Sequence, residues 1–210
     1  NSPWGKYKNL WNLYSKASTP SNWMRNIFQF AKKKNITLFS SVFSVDNVEL
    51  LENLNTPAYK IASPEINHIP LLERVAKTKK PVLISTGLAT KADISLAIQT
   101  LKRNGNNKII LLKCTSAYPA PLDEANIKTI IDYNKSYKVF TGLSDHTLSS
   151  HAALASVCFG AKIVEKHFKL PYSKTPDSFF GFDFTMVIIQ KKTRLIDFWI
   201  SNRIISQMKN

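Results

Sequence analysis

Six short apolar runs recur along the chain, each closing on hydroxyl-bearing or charged residues, and helically spaced stretches separate them. The runs are Ile36–Phe39, Ala58–Ala62, Pro81–Ile84, Lys108–Cys114, Lys138–Leu143 and Ala161–Val164. Regular strand–helix alternation restricts the chain to a parallel α/β fold, because parallel neighbours must be joined by long crossovers. Ile109-Ile110-Leu111-Leu112 is apolar without interruption, the pattern of a strand covered on both faces. The closing clusters are Ser40-Ser41, Ser63 with Glu65, Ser85-Thr86, Thr115-Ser116, Ser144-Asp145-His146 and Glu165-Lys166-His167. Polar residues at every strand's C-terminal end suit the rim of a (β/α)8 TIM barrel better than an open sheet. About six of the eight β/α units are present, and a loop and helix (1–34) precede the first run. The two missing units are therefore expected on the N-terminal side.

Between the runs, helix signals are specific. Thr19-Pro20 is expected to open a helix as N-cap and first-turn proline, with Trp23, Ile27, Phe30 and Ala31 on one face. Val48, Leu51 and Leu54 mark the next helix, and Leu72, Val75 and Ala76 the one after. Thr90 with Asp93 forms a capping box ahead of Ile94, Ala97, Ile98 and Leu101, and Gly105 supplies the stop. Further helices are expected near Asp123–Asn134 and near Ser149–Phe159, the latter ended by Gly160.

A chain of 210 residues, 44% hydrophobic, can bury one substantial core. No apolar run approaches the roughly 18–20 residues of a membrane span. The opening Asn-Ser-Pro-Trp-Gly-Lys lacks both a signal-peptide segment and a Met, so the expectation is a cytoplasmic protein cut at its N-terminus. Cys114 and Cys158 sit in apolar elements and read as reduced, buried thiols. The net charge of +15 invites a nucleic-acid partner. Yet the cations are scattered (Lys32–Lys34, Lys77–Lys80, Lys102-Arg103, Lys191-Lys192), mostly at helix ends where they complement the dipole. No nucleic-acid motif accompanies them, so neither a specific nucleic-acid partner nor a membrane is expected, only modest attraction of an anionic substrate. Trp4, Trp11, Trp23 and Trp199 read as packing residues, and His68 and His151 as surface or packing residues.

Two histidines carry the sharper signal. His146 and His167 close consecutive strands, and in a parallel α/β fold such ends lie side by side on the face where active sites form. Two convergent imidazoles beside carboxylates and a Lys form a divalent-metal site. Lys60, at the end of an apolar strand, would be costly to bury without an anion. Glu65 either moves protons or caps the following helix, and Asp145 either serves the site or orients a loop.

The segments Ala58-Tyr59-Lys60-Ile61-Ala62-Ser63, Ile84-Ser85-Thr86-Gly87, Lys113-Cys114-Thr115-Ser116-Ala117-Tyr118-Pro119, Gly142-Leu143-Ser144-Asp145-His146 and Glu165-Lys166-His167-Phe168 together resemble the sialic acid synthase family. The likeness runs in order from about residue 36 to 180. It implies a TIM barrel that condenses phosphoenolpyruvate with an N-acetylated amino sugar, forming a carbon–carbon bond with C–O cleavage and release of phosphate. It also implies Mn²⁺ or Mg²⁺ held by His146 and His167. Lys60, Ser63, Ser85, Ser116 and Ser144 would hold phosphoenolpyruvate, Glu65 would stand near the reacting centre, and Tyr118 and Asp177 would line the sugar pocket. The stretch from Leu10 through Thr19-Pro20 to Trp23 is similar to the pseudaminic acid branch, with aromatics that could contact a 6-deoxy, di-N-acetylated sugar. The N-acetylneuraminate and legionaminic acid branches stay open. The full-length protein is expected to be a homodimer.

Departures from the family are also legible. Val42 replaces the usual proline, and Ser44 stands where an acidic residue is often found. After Asp177-Ser178 the match weakens, although Phe179-Phe180-Gly181-Phe182-Asp183 still echoes it. The expected organisation is a partial barrel over 1–185 and a divergent segment over 186–210, without the family's C-terminal antifreeze-like domain. A non-catalytic barrel remnant is one rival reading, and a different metal-dependent barrel, such as a class II aldolase or a hydrolase, is another.

Overall fold

A computed structural model describes residues 9–169 and 181–183. Six parallel strands form one sheet in sequence order: β1 (Ser40–Ser41), β2 (Tyr59–Ile61), β3 (Val82–Ser85), β4 (Ile109–Cys114), β5 (Phe140–Asp145) and β6 (Ile163–Lys166). Helices α1 (Leu10–Ala17) and α2 (Ser21–Lys33) precede β1, and α3 (Val45–Asn53), α4 (Ile69–Lys77), α5 (Lys91–Arg103), α6 (Thr129–Tyr137) and α7 (His151–Cys158) connect the strands. A small parallel pair, β7 (Phe168–Lys169) with β8 (Phe182–Asp183), follows. This is the expected β/α order, with an unclosed sheet among the described residues.

Strand alternation sorts the side chains into two layers. Tyr59, Ile61, Val82, Ile84, Ile109 and Leu111 pack with Val48, Leu51, Leu71, Leu72, Ile94 and Leu101 of α3–α5. Ala58, Leu83, Ile110 and Leu112, with Phe39 and Ile163 against them, fill the other face. Leu143 joins Ala125, Ile130, Ala152 and Ala161 beneath α6 and α7. As expected, β4 is buried at every position.

Several boundaries differ from the sequence expectation. The first ladder holds Ser40 and Ser41, opposite Tyr59 and Lys60, and the apolar run Ile36–Phe39 only leads into it. β5 starts later because Lys138 has φ 50°, a left-handed residue closing α6, and it runs on through Ser144-Asp145. The helix expected near 123–134 is broken by Asn126 at φ 45° into a 3₁₀ turn (Asp123–Ala125) and α6. In α2, Pro20 is itself the N-cap residue and Thr19 makes no cap. That helix has two apolar stripes, and only one can face the sheet. Ala31 is buried and Met24 and Phe28 pack on the core, so Trp23, Ile27 and Phe30 stay exposed. Trp11 is exposed too, which corrects its reading and that of Trp23 as packing residues; Trp4 and Trp199 lie outside the described residues. Cys114 is a buried free thiol, but Cys158 is exposed.

Other local signals hold. Thr90 and Asp93 form the capping box, with Asp93 Oδ2 accepting from Thr90 N and Thr90 Oγ1 from Asp93 N. Gly105 and Gly160 stop α5 and α7 with φ 78° and 92°. Ser44, a departure from the family pattern, caps α3 by accepting from Asn47 N. Basic residues fill the last turns of α2, α4, α5 and α6. His68 and His151 are exposed.

Candidate active site

Each strand's C-terminal end contributes to one open cavity of about 590 Å³. Ser41 comes from β1, Lys60 from β2 with Ser63 just beyond, Ser85 from β3, Cys114 from β4 with Ser116 and Tyr118 after it, and Ser144 and His146 from β5 and its end. Glu165, Lys166 and His167 complete the wall, and Phe43 and Leu88 form an apolar lip. Parallel strands in sequence order all end on one side of the sheet, which is why residues from 41 to 167 meet here.

Lys60 is 6% exposed. Its Nζ donates to Ile61 O at 3.1 Å and stands 3.8 Å from Glu165 Oε1. Burial pushes its pKa down, and the Glu165 carboxylate opposes that shift. Ser144 Oγ donates to Glu165 Oε1 at 2.7 Å. Nearby, Gly87 N donates to Ser63 Oγ at 3.0 Å. A Cβ on Gly87 would stand 2.2 Å from Ser116 Oγ and 3.1 Å from Ser63 Oγ, so only glycine leaves the hollow between these hydroxyls open. Ser85 Oγ is buried without a hydrogen-bond partner. A cation and several hydroxyls around a hollow form an anion cradle.

Across the cavity His146 and His167 converge, with ring centroids 5.3 Å apart. His146 Nδ1–H donates to Thr115 O at 2.9 Å, which leaves Nε2 with its lone pair. Burial lowers the His146 pKa and favours the neutral ring. Tyr118 stacks on His146 at 4.1 Å and meets His167 edge-on at 5.7 Å. Among the described residues, no three His, Cys, Asp or Glu side chains gather as a group able to hold a metal.

Glu65 lies on the 3₁₀ turn after β2 (Ser63–Glu65) and is not among the cavity-lining residues. Its Oε2 is buried without a partner, and burial raises its pKa against the lowering pull of Lys60. Asp177 lies outside the described residues. The remaining expected site residues, Lys60, Ser63, Ser85, Ser116, Tyr118, Ser144, His146 and His167, come together in the one cavity. Sequence reasoning assigned no role to Glu165, although strand parity places it on the same face as Ile163 and His167.

Comparison with known proteins gives a consistent set of relatives. The family model described as the NeuB family matches residues 1–187. The chain is 45% identical over 182 residues to a pseudaminic acid synthase of Helicobacter pylori, covering 86% of this chain and 53% of that protein. It is 40% identical over 148 residues to an N,N'-diacetyllegionaminic acid synthase of Campylobacter jejuni, covering 70% of this chain and 44% of that one. The crystal structure of an N-acetylneuraminic acid synthetase from Leptospira borgpetersenii superposes with TM-score 0.73 at 25% identity, covering 99% of this chain and 69% of that one. The described fold is thus an incomplete TIM barrel, and the chain spans about half the length of the curated relatives it matches.

Proposed function

The chain belongs to the NeuB family, and from that premise we propose that the full-length protein condenses phosphoenolpyruvate with an N-acetylated amino-sugar aldehyde to form a nonulosonic acid of the pseudaminic type. One observation carries the reading: a buried Lys60 lines one cavity with Ser63, Ser85 and Ser116, and Gly87 keeps the hollow between Ser63 and Ser116 open. Phosphoenolpyruvate carries a phosphate and a carboxylate on a small frame and needs such a combination of cation and hydroxyl donors. Lys60 neutralises the anion, the serines orient it, and the enol carbon is thereby presented to the aldehyde carbon. Tyr118, resting on both histidines, lines the sugar's side of the cavity together with the apolar lip of Phe43 and Leu88.

Glu65, with its raised pKa, can hold a proton close to Lys60 from just outside the residues that line the cavity. Glu165 holds Ser144 and balances Lys60 until the anion arrives.

We further propose Mn²⁺ or Mg²⁺ at His146 and His167. The neutral His146 ring, with Nδ1–H committed to Thr115 O, suits this seat, and substrate or water oxygens would complete it. When bound, such an ion supplies Lewis-acid polarisation of the sugar aldehyde. No helix among the described residues is long and apolar enough to cross a membrane. A cytoplasmic location and a homodimeric full-length protein complete the proposal.

The test is direct. The full-length protein is assayed with phosphoenolpyruvate and each candidate sugar, following phosphate release and product mass. A higher kcat/KM with a 6-deoxy, di-N-acetylated hexose supports the pseudaminic reading. Preference for N-acetylmannosamine or a legionaminic precursor moves the assignment to another branch, and no condensation with any sugar refutes the activity.

A further inference from the structure

Asp145 and Lys166 have no role in the chemistry proposed above, yet their side chains are only 1% and 7% exposed. They are register partners in the β5–β6 ladder, and the next residue in each chain segment is a histidine. A tie between register partners at the last positions of two neighbouring strands fixes the backbone from which the next residue of each is presented. The tie is dense. Lys166 Nζ donates to Asp145 Oδ2 at 2.7 Å and to Thr147 O at 2.6 Å, and Thr147 N donates to Asp145 Oδ1 at 2.9 Å. His146 is therefore bracketed, with Asp145 before it and Thr147 after it both bound into one cluster. Stability alone does not account for the arrangement, since desolvation offsets much of the attraction in a buried ion pair and apolar residues often serve as well.

We infer that Asp145 and Lys166 are positioning residues: their pair clips the ends of β5 and β6 in the register that holds the His146 and His167 rings 5.3 Å apart. The inference rests on the reading of those histidines as a divalent-cation seat. The clip leaves the ligating atoms untouched. It fixes the backbone on both sides of His146, and the bond from His146 Nδ1–H to Thr115 O then sets the ring's rotation.

The experiment uses the full-length protein with the paired substitution Asp145→Val and Lys166→Leu, which removes the clip without stranding a lone buried charge. Affinity for Mn²⁺ alone is measured by calorimetry. In parallel, histidine-selective ¹⁵N NMR follows solvent exchange of the His146 Nδ1–H. The paired variant is expected to keep its melting temperature, to weaken Mn²⁺ binding roughly ten- to a hundredfold, and to exchange that proton faster. The near-isosteric Asp145→Asn covers the case in which the apolar pair does not fold, and should move both readings the same way by a smaller factor. Parent-like Mn²⁺ affinity and parent-like exchange in the folded variants overturn the inference. A parent that binds no Mn²⁺, but whose His146 proton still responds to loss of the clip, overturns the metal reading alone and supports this one.

Discussion

Burying an ammonium group costs free energy that Lys60 recovers only in part from Glu165, 3.8 Å away and itself more than a third exposed. On the proposed reading, the anionic substrate would supply the remainder. Lys60→Met should therefore weaken phosphoenolpyruvate binding by roughly tenfold or more, the loss of a charge-assisted bond of about 1.5–3 kcal/mol. Isothermal calorimetry of parent and variant decides it, and unchanged affinity removes Lys60 from the cradle. Glu65 offers a pH test. Burial raises its pKa above the ordinary 4.5, so the folded chain holds that proton more tightly than the unfolded chain does. Its contribution to stability is complete below the unfolded value and is lost as pH rises through the folded one. Glu65→Gln should consequently gain melting temperature relative to the parent between acid and neutral pH. A difference that stays flat, or shrinks, as pH rises contradicts a buried, proton-holding Glu65.

Among the elements, the β5–β6 contact leaves no room for a side chain at Gly142. A Cβ on Gly142 would stand 2.2 Å from Ile163 O and 2.9 Å from Leu112 Cδ2, and the first of these is backbone that cannot swing aside. Gly142→Ala should part the two strands and cost on the order of 1–3 kcal/mol, read as a lowered urea midpoint; a midpoint equal to the parent's would mean the strands are not packed this closely. Thr90→Ala, by contrast, removes only a surface cap and should cost about 1 kcal/mol. These elements differ in how legible they were. The capping box, the glycine stops and the buried β4 were readable because each depends on a local rule that operates within a few residues. The ends of β1, β5 and β6 were not, because they close on polar residues, Ser41, Ser144 and Glu165 among them, that line a shared cavity, and apolar periodicity is blind to that. The left-handed Asn126 broke a helix that composition alone would continue. The site was readable as a set of strand ends; Glu165's ties to Ser144 and Lys60 needed the neighbouring strands in place.

For the molecule as a whole, the issue is closure. The sheet ends at β1 on one side and β6 on the other, and among the described residues neither has a second ladder partner. A closed barrel has no such edges, and an exposed row of unpaired N–H and C=O groups is a template for association with another chain. Exposed apolar side chains add to this: Trp23, Phe30 and Ile36 are 58%, 61% and 59% exposed, although the net charge of +15 opposes aggregation through mutual repulsion. The chain spans 53% of the Helicobacter pylori pseudaminic acid synthase. The 210-residue chain expressed alone should therefore self-associate despite its charge, melt over a broad range and condense no sugar. Extending its N-terminal side with two β/α units taken from that relative should give a narrower melt and a single species in sedimentation velocity. The comparison is read at matched concentration and ionic strength, because added salt screens the repulsion and would promote association in both proteins. If the 210-residue chain alone is monodisperse, melts cooperatively and turns over phosphoenolpyruvate with an amino sugar, the open edges carry no penalty and the six described strands suffice for the reaction.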